Sequence, residues 1–166
     1  MSARILPASV LMPEYEALLR EGAELPLVIS GGSMLPFLAP GRDSVLLKAP
    51  DRPLHRGDIV FYRRRNGMYV LHRLVRTKNG QCWMVGDAQT QIEGPLPAEC
   101  IFAYVTCVQR KGRTERPGTF IWDFFQYVWL AVIPLRRYLI AIIVRILRIA
   151  RKGGALHEGS KRVHYA

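Results

Sequence analysis

The sequence predicts a mainly β chain: a small antiparallel, partly closed, barrel-like sheet, followed by a helical segment. Three observations predict it. Between Asp43 and Arg110, short runs rich in β-branched and aromatic residues alternate with turn residues. Two of the breaks are Asn-Gly pairs, Asn66-Gly67 and Asn79-Gly80, the dipeptide that best suits a tight hairpin turn. From Thr119 onward the composition changes to aromatic, apolar and arginine-rich.

Taken in order, "PEYEALLREG" (residues 13–22) reads as a short helix. Pro13 suits its first turn, its acids come early, Arg20 comes late and Gly22 ends it, with Leu18 and Leu19 turned inward. "ELPLVIS" reads as a strand that runs into the glycine turn at Gly31-Gly32. Five further strands are expected in "DSVLLKA", "GDIVFYRR", "MYVLHRLVRT", "QCWMVGD" and "CIFAYVTCVQRK". "GRTERPG" is a polar break. The expected organisation is a helical lead-in over 1–24, a β domain over 25–112, an apolar and basic helical segment over 119–152, and a mobile basic tail over 153–166.

Composition narrows the function. The chain carries 24 Lys and Arg against 13 Asp and Glu, a formal net charge of +11, which calls for an anionic partner. A spanning helix needs about 20 consecutive apolar residues. The stretch from Phe120 to Ile133 is shorter, holds Asp123 and Gln126, and is followed by Pro134 and Arg136-Arg137. Burying those two arginines in hydrocarbon costs roughly 2.5–3.5 kcal/mol each. Wound at about 100° per residue, Leu135 to Lys152 places Arg137, Arg145, Arg148, Arg151 and Lys152 on one side. Leu139, Ile142, Ile143, Ile146, Leu147, Ile149 and Ala150 take the other.

That pattern suits an amphipathic helix lying in the headgroup region of an anionic membrane, peripheral or re-entrant, with attachment through residues 120–152. Trp122, Tyr127 and Trp129 favour the same depth. The competing placements are a helix packed on the chain's own core or at a dimer interface, and a true span. Nucleic acid is not expected as a partner, because a duplex would leave the greasy face exposed. The N-terminal stretch, with its prolines and acids, reads as neither a signal peptide nor an anchor. Cys82, Cys100 and Cys107 match no zinc or thioredoxin spacing and read as thiols in a reducing compartment. No metal site and no cofactor are expected.

The chemistry centres on "ISGGSMLPFLAPGRD", residues 29–43. Ser33 stands between two glycines and Met34-Leu35-Pro36, where a nucleophile can be held on an edge. A serine needs a base within hydrogen-bond reach. Of four histidines, His157 and His164 lie in the tail and His55 in a loop, whereas His72 sits inside a strand. Alternation puts His72 on one face with Val70 and Leu74. An acid beside it would fix its tautomer, and Asp87 or Glu93 can serve. A lysine base is the alternative. Arg73 and Arg76 occupy the strand near His72, which leaves Lys48 and Lys78.

Four boxes, "GGSMLP", "RGDIVFY", "VLHRLV" and "VGDAQTQIE", occur in this order and resemble those of the signal peptidase I and LexA-like peptidase superfamily. The resemblance covers about residues 25 to 110. The position of His72 is similar to the Ser-His branch, the archaeal and endoplasmic-reticulum type, rather than to the branch that uses lysine. The resemblance implies a membrane-associated serine endopeptidase that cleaves a peptide or protein precursor beside small side chains. Ser33 is then the nucleophile, His72 the general base, and Asp87 and Glu93 stand where the branch carries its acids, with glutamate where aspartate is usual. It implies a substrate bound as an added strand, with Gly31, Gly32, Ser33 and Met34 forming the oxyanion and substrate-approach segment. The family usually carries an N-terminal membrane anchor. Here the greasy segment follows the peptidase-like domain, which suits attachment on the cytoplasmic side. No helix-turn-helix is seen, so a repressor of the LexA type is not expected. The alternative reading is a non-catalytic, membrane-tethered β domain that binds a peptide partner.

Overall fold

A computed structural model of the protein describes residues 8–142 and 145. They divide into two compact units, one ending at Ile133 and the other beginning at Pro134. The first unit opens with α1 (Ala8–Arg20) and contains β1 (Leu25–Val28), β2 (Ser44–Lys48), β3 (Ile59–Arg63), β4 (Tyr69–Lys78), β5 (Gln81–Val85), β6 (Glu93–Pro97), β7 (Ile101–Arg110) and β8 (Arg113–Glu115). The eight strands form one antiparallel sheet in the order β1-β2-β7-β3-β4-β5-β6, with β8 folded back on β7. The path is open, with β1 and β6 at its ends.

The expected strands form for the expected reasons. Asn79 and Gly80 take φ values of 51° and 70° and join β4 to β5, and Gly67 at 80° closes the β3–β4 hairpin with its N–H donated to the Arg64 carbonyl at 2.9 Å. The hairpin register pairs Val60 with His72 and Tyr62 with Val70. Irregularities between Leu46 and Leu47, Leu74 and Arg76, and Cys82 and Met84 interrupt the ladders. Such bulges bend and twist strands locally. Val60, Tyr62, Leu74, Cys82, Met84, Leu96, Ile101 and Tyr104 form one buried cluster across the sheet.

Four expectations are corrected. The helix begins at Ala8, so Pro13 lies inside it rather than in its first turn. Of its two leucines only Leu19 is buried, while Leu18 is 44% exposed, because adjacent helical residues point about 100° apart. Gly22 at φ 93° ends the helix as read, with the Gly22 N–H on Leu19 O and the Ala23 N–H on Leu18 O. Two strands escape the pattern. Segment β6 is "EGPLP", whose prolines argue against a strand but are tolerated at a sheet edge. Segment β8 follows a tight turn at Lys111-Gly112, within what reads as a polar break.

The fourth correction concerns the aromatic segment. It forms α2 (Phe120–Asp123) and a wider π-helical turn (Phe124–Trp129) inside the first unit. Trp122 and Trp129 are buried, 2% and 5% exposed, so neither is presented at headgroup depth. Trp122 packs edge-on to Phe37, and Phe125 lies against both Phe37 and Trp129. Leu130 and Ile133 join Val85 in a second buried cluster. An aromatic run is apolar enough for lipid or for protein, and here Phe37 and Val85 supply the protein.

No single helix among the described residues is long and apolar enough to cross a membrane. Phe120–Trp129 and Ile133–Ile142 pass by length and composition only as a bent pair. Of the expected amphipathic helix, Arg137, Leu139, Ile142 and Arg145 are described. Ile143, Ile146, Leu147, Arg148, Ile149, Ala150, Arg151 and Lys152 lie outside the described residues, as do His157, His164 and the tail over 153–166.

Candidate active site

The serine loop is built between β1 and β2. Its ends are tied together by Ile29 N–H to Asp43 O at 2.9 Å and Gly41 N–H to Ile29 O at 2.8 Å. The Asp43 carboxylate, itself buried, accepts from Ala39 N at 2.8 Å and from Arg42 at 2.8 and 2.7 Å. Within the loop, residues 33–37 make a short helical turn, with Leu38 N–H bonded to Met34 O at 2.8 Å. Met34, Phe37 and Leu38 are buried and seat the turn on the core. From β7, Arg110 donates to the Phe37 carbonyl at 2.6 Å and to the Pro36 carbonyl at 3.4 Å. Ser33 is left half-buried at the rim.

His72 comes from β4 and is 1% exposed. The loop after β5 joins the two residues. Ala88 N–H donates to the Ser33 carbonyl at 2.8 Å. A Cβ placed on Gly86 would stand 2.6 Å from Ser33 O and 3.1 Å from His72 Nε2. The Ser33 backbone and the imidazole therefore meet across one glycine. Both line a cleft of about 380 Å³, shared with Leu27, Met34, Phe61 and Gln89. Ser33 Oγ makes no direct hydrogen bond to His72 among the described residues. The backbone N–H groups of Gly31, Gly32, Ser33 and Met34 are committed to no other hydrogen bond among the described residues.

The two expected acids sit in different surroundings. Glu93, at the start of β6, accepts from the Tyr62 hydroxyl at 2.7 Å and from Arg64 Nε and Nη2 at 2.7 and 2.5 Å. It stands 3.9 Å from His72 Nδ1, and Tyr62 Oη lies between them, 3.1 Å from that nitrogen. Asp87 faces Arg73 instead, with Nε 2.9 and 3.0 Å from its carboxylate oxygens. Both are fully buried. Arg73 also donates to the Gly57 carbonyl at 3.0 Å, and its guanidinium lies 4.9 Å over the Phe37 ring. Trp129 Nε1 donates to the Asp87 carbonyl at 2.8 Å. Asp87 thus fixes the loop that carries Gly86, and Glu93 faces the imidazole.

Electrostatics sharpen the division. Burial pushes the His72 pKa down to about 4, Arg64 adds to the lowering, and Glu93 opposes it. The ring is therefore neutral at physiological pH. Burial raises the Glu93 pKa, but hydrogen bonds from Arg64 and Tyr62 outweigh it and the group is held below its usual range. Burial and the bond to Glu93 push the Tyr62 phenol up. Of the competing bases, Lys48 is paired with Asp51 at 2.6 Å, and neither it nor Lys78 lines the cleft. His55 is held by Arg52, Nη1 to Nδ1 at 3.1 Å. Burial raises the Cys82 thiol and lifts Cys100 to about 11, so neither is a thiolate at neutral pH. Among the described residues no three His, Cys, Asp or Glu side chains cluster as metal ligands.

Sequence reasoning missed Tyr62, Arg64 and the role of Gly86. A signal for Tyr62 was present: Asn66-Gly67 fixes the hairpin register, Val60 falls opposite His72, and Tyr62 is then its diagonal neighbour on the same face. No protein-family model matches the sequence, and no curated protein matches it.

The pH dependence follows from His72. With a folded pKa of about 4 against 6.5, the unfolded chain binds a proton that the folded chain refuses. Stability falls as pH is lowered from 6.5 to about 4, by about 3 kcal/mol in full. Glu93, lowered in the fold, acts in the same direction as pH falls further. Denaturant melts at pH 7 and pH 4.5 should show most of this loss with the wild type and much less of it with His72→Gln.

Proposed function

We propose that this chain is a membrane-associated serine endopeptidase of the Ser-His type, similar to signal peptidase, that cleaves a peptide or protein precursor. The observation that carries the reading is the approach of the Ser33 backbone to His72 Nε2 across Gly86, with both residues lining one cleft. Ser33 Oγ attacks the scissile carbonyl while His72 takes its proton, then returns it to the leaving amine. The uncommitted N–H groups from Gly31 to Met34 are the donors for the oxyanion. An extended substrate has a place to pair, because β1 is an edge strand and Leu27 and Val28 line the same cleft. The order of the motifs and the interrupted ladders support a coiled, partly closed sheet of the signal-peptidase type. The missing direct bond from Ser33 Oγ to His72 is what favours the second reading, a non-catalytic β domain that holds a peptide partner.

A proteome-derived peptide library read by mass spectrometry separates the two. The wild type should cleave library members beside small side chains, and Ser33→Ala and His72→Gln should each slow cleavage by about 10³-fold or more. Ser33→Ala should leave the melting temperature nearly unchanged. Cleavage that survives Ser33→Ala would assign the nucleophile elsewhere.

Membrane attachment keeps Tyr127, Ile142 and the basic residues of the sequence reading but loses the two buried tryptophans. In the first unit Phe120, Tyr127 and Val128 are exposed, and in the second Leu135, Tyr138 and Ile142. The exposed apolar residues of the second unit, with the basic residues from Arg137 onward in the sequence, suit an anionic bilayer surface on the cytoplasmic side. A chain ending at Ile133 should still melt cooperatively but lose most of its sedimentation with phosphatidylserine-containing vesicles. A chain ending at Gly118 should lose cooperative melting, since each buried aromatic it lacks is worth about 3–5 kcal/mol. Full sedimentation of the chain ending at Ile133 would remove the claim for the basic segment.

A further inference from the structure

We propose that Tyr62 is a positioning residue that stands between Glu93 and His72, so that the carboxylate sets the tautomer of the imidazole through a phenol rather than by touching the ring. The proposal rests on the peptidase reading and deepens it. A phenol has one proton to give. Here it goes to Glu93 Oε2 at 2.7 Å, and an ionised carboxylate only accepts. Arg64, with two bonds to the same carboxylate, keeps it ionised. Toward His72 the phenol oxygen therefore offers lone pairs alone. His72 Nδ1, 3.1 Å away, must carry the ring proton. Nε2 is then the bare nitrogen, and it is Nε2 that faces Gly86 and the Ser33 segment.

Each group has a reason to be where it is. At 3.9 Å, Glu93 is too far from Nδ1 for a direct hydrogen bond. Asp87 cannot take its place while Arg73 binds it in a fully buried pair. Tyr62 is buried and held in β3 two residues beyond the one opposite His72, so its oxygen is delivered by register rather than by a flexible loop. In the reaction the Ser33 proton passes to Nε2 as the Oγ–carbon bond forms, and later to the leaving nitrogen as the carbon–nitrogen bond breaks. Nδ1–H stays in place throughout, and neither Tyr62 nor Glu93 changes protonation. The positive ring is met by the phenol oxygen and by the carboxylate behind it. The raised pKa of Tyr62 agrees with a phenol that keeps its proton.

The test has a readout that needs no substrate. With histidine labelled by ¹⁵N, long-range proton–nitrogen correlation distinguishes the two tautomers, and His72→Gln assigns the signal among the four histidines. The wild type at pH 7 should show His72 as the Nδ1–H tautomer. Tyr62→Phe, close in shape, should lose that preference, and its kcat for the best-cleaved library peptide should fall by about 10²-fold with KM changed less than about twofold. A wild-type ring protonated on Nε2 overturns the proposal, whether or not Tyr62→Phe folds. So does a Tyr62→Phe variant with unchanged tautomer and unchanged kcat. If the wild type shows the Nδ1–H tautomer but cleaves no library peptide, the peptidase reading fails and the tautomer assignment stands.

Discussion

The arrangement depends on how closely two chain segments approach at Gly86. Ser33 and His72 lie far apart in sequence, on a loop and on a strand that share no hydrogen-bond ladder. The Ser33 backbone and the imidazole approach because the residue between them has no side chain: a Cβ there would stand 2.6 Å from the Ser33 carbonyl oxygen, 3.0 Å from Gln89 Oε1 and 3.1 Å from His72 Nε2. Real Cβ atoms do not tolerate a backbone oxygen at the shortest of these distances. Glycine acts here through its size, since its φ lies in the ordinary range, whereas Gly67 and Gly80 act through φ.

A close approach of this kind has to be held, and the buried polar groups hold it. Arg73 and Asp87 form a pair with no solvent exposure. Such a pair gains little over an apolar one but costs several kcal/mol if one partner is removed. Its effect is to fix geometry: Arg73 reaches the Gly57 carbonyl and lies over Phe37 of the serine loop, and Asp87 adjoins Gly86. Trp129 adds an indole bond to the Asp87 carbonyl. The aromatic segment that follows the sheet thus braces the site from behind, and its burial in the first unit has a functional consequence under the peptidase reading.

How much of this could be read from the sequence follows from how local each cause is. Turn chemistry is local, so Asn66-Gly67 and Asn79-Gly80 fixed two hairpins, whereas Lys111-Gly112 hid a third because lysine is no turn-former. Leu18 and Leu19 could be assigned to a helix but not to an inside and an outside without the surface they meet. That the Ser33 loop and the His72 strand line one cleft is in keeping with the order of the motifs. The separate surroundings of Asp87 and Glu93 were not, because they depend on strand pairing around an irregular β5–β6 ladder and on an edge strand disguised by prolines. The tryptophans misled for a plain physical reason: residues suited to a membrane interface are equally suited to a core, and only the distant Phe37 and Asp87 decide which.

The Ser33 segment and the His72 imidazole are brought together across a position where any side chain would strike backbone. Gly86→Ala tests it most directly, with library-peptide cleavage and the melting temperature measured together. The added methyl should displace the Ser33 carbonyl, so that cleavage falls by about 10²-fold or more while the domain still melts cooperatively. Cleavage at the wild-type rate from a folded Gly86→Ala protein would contradict it.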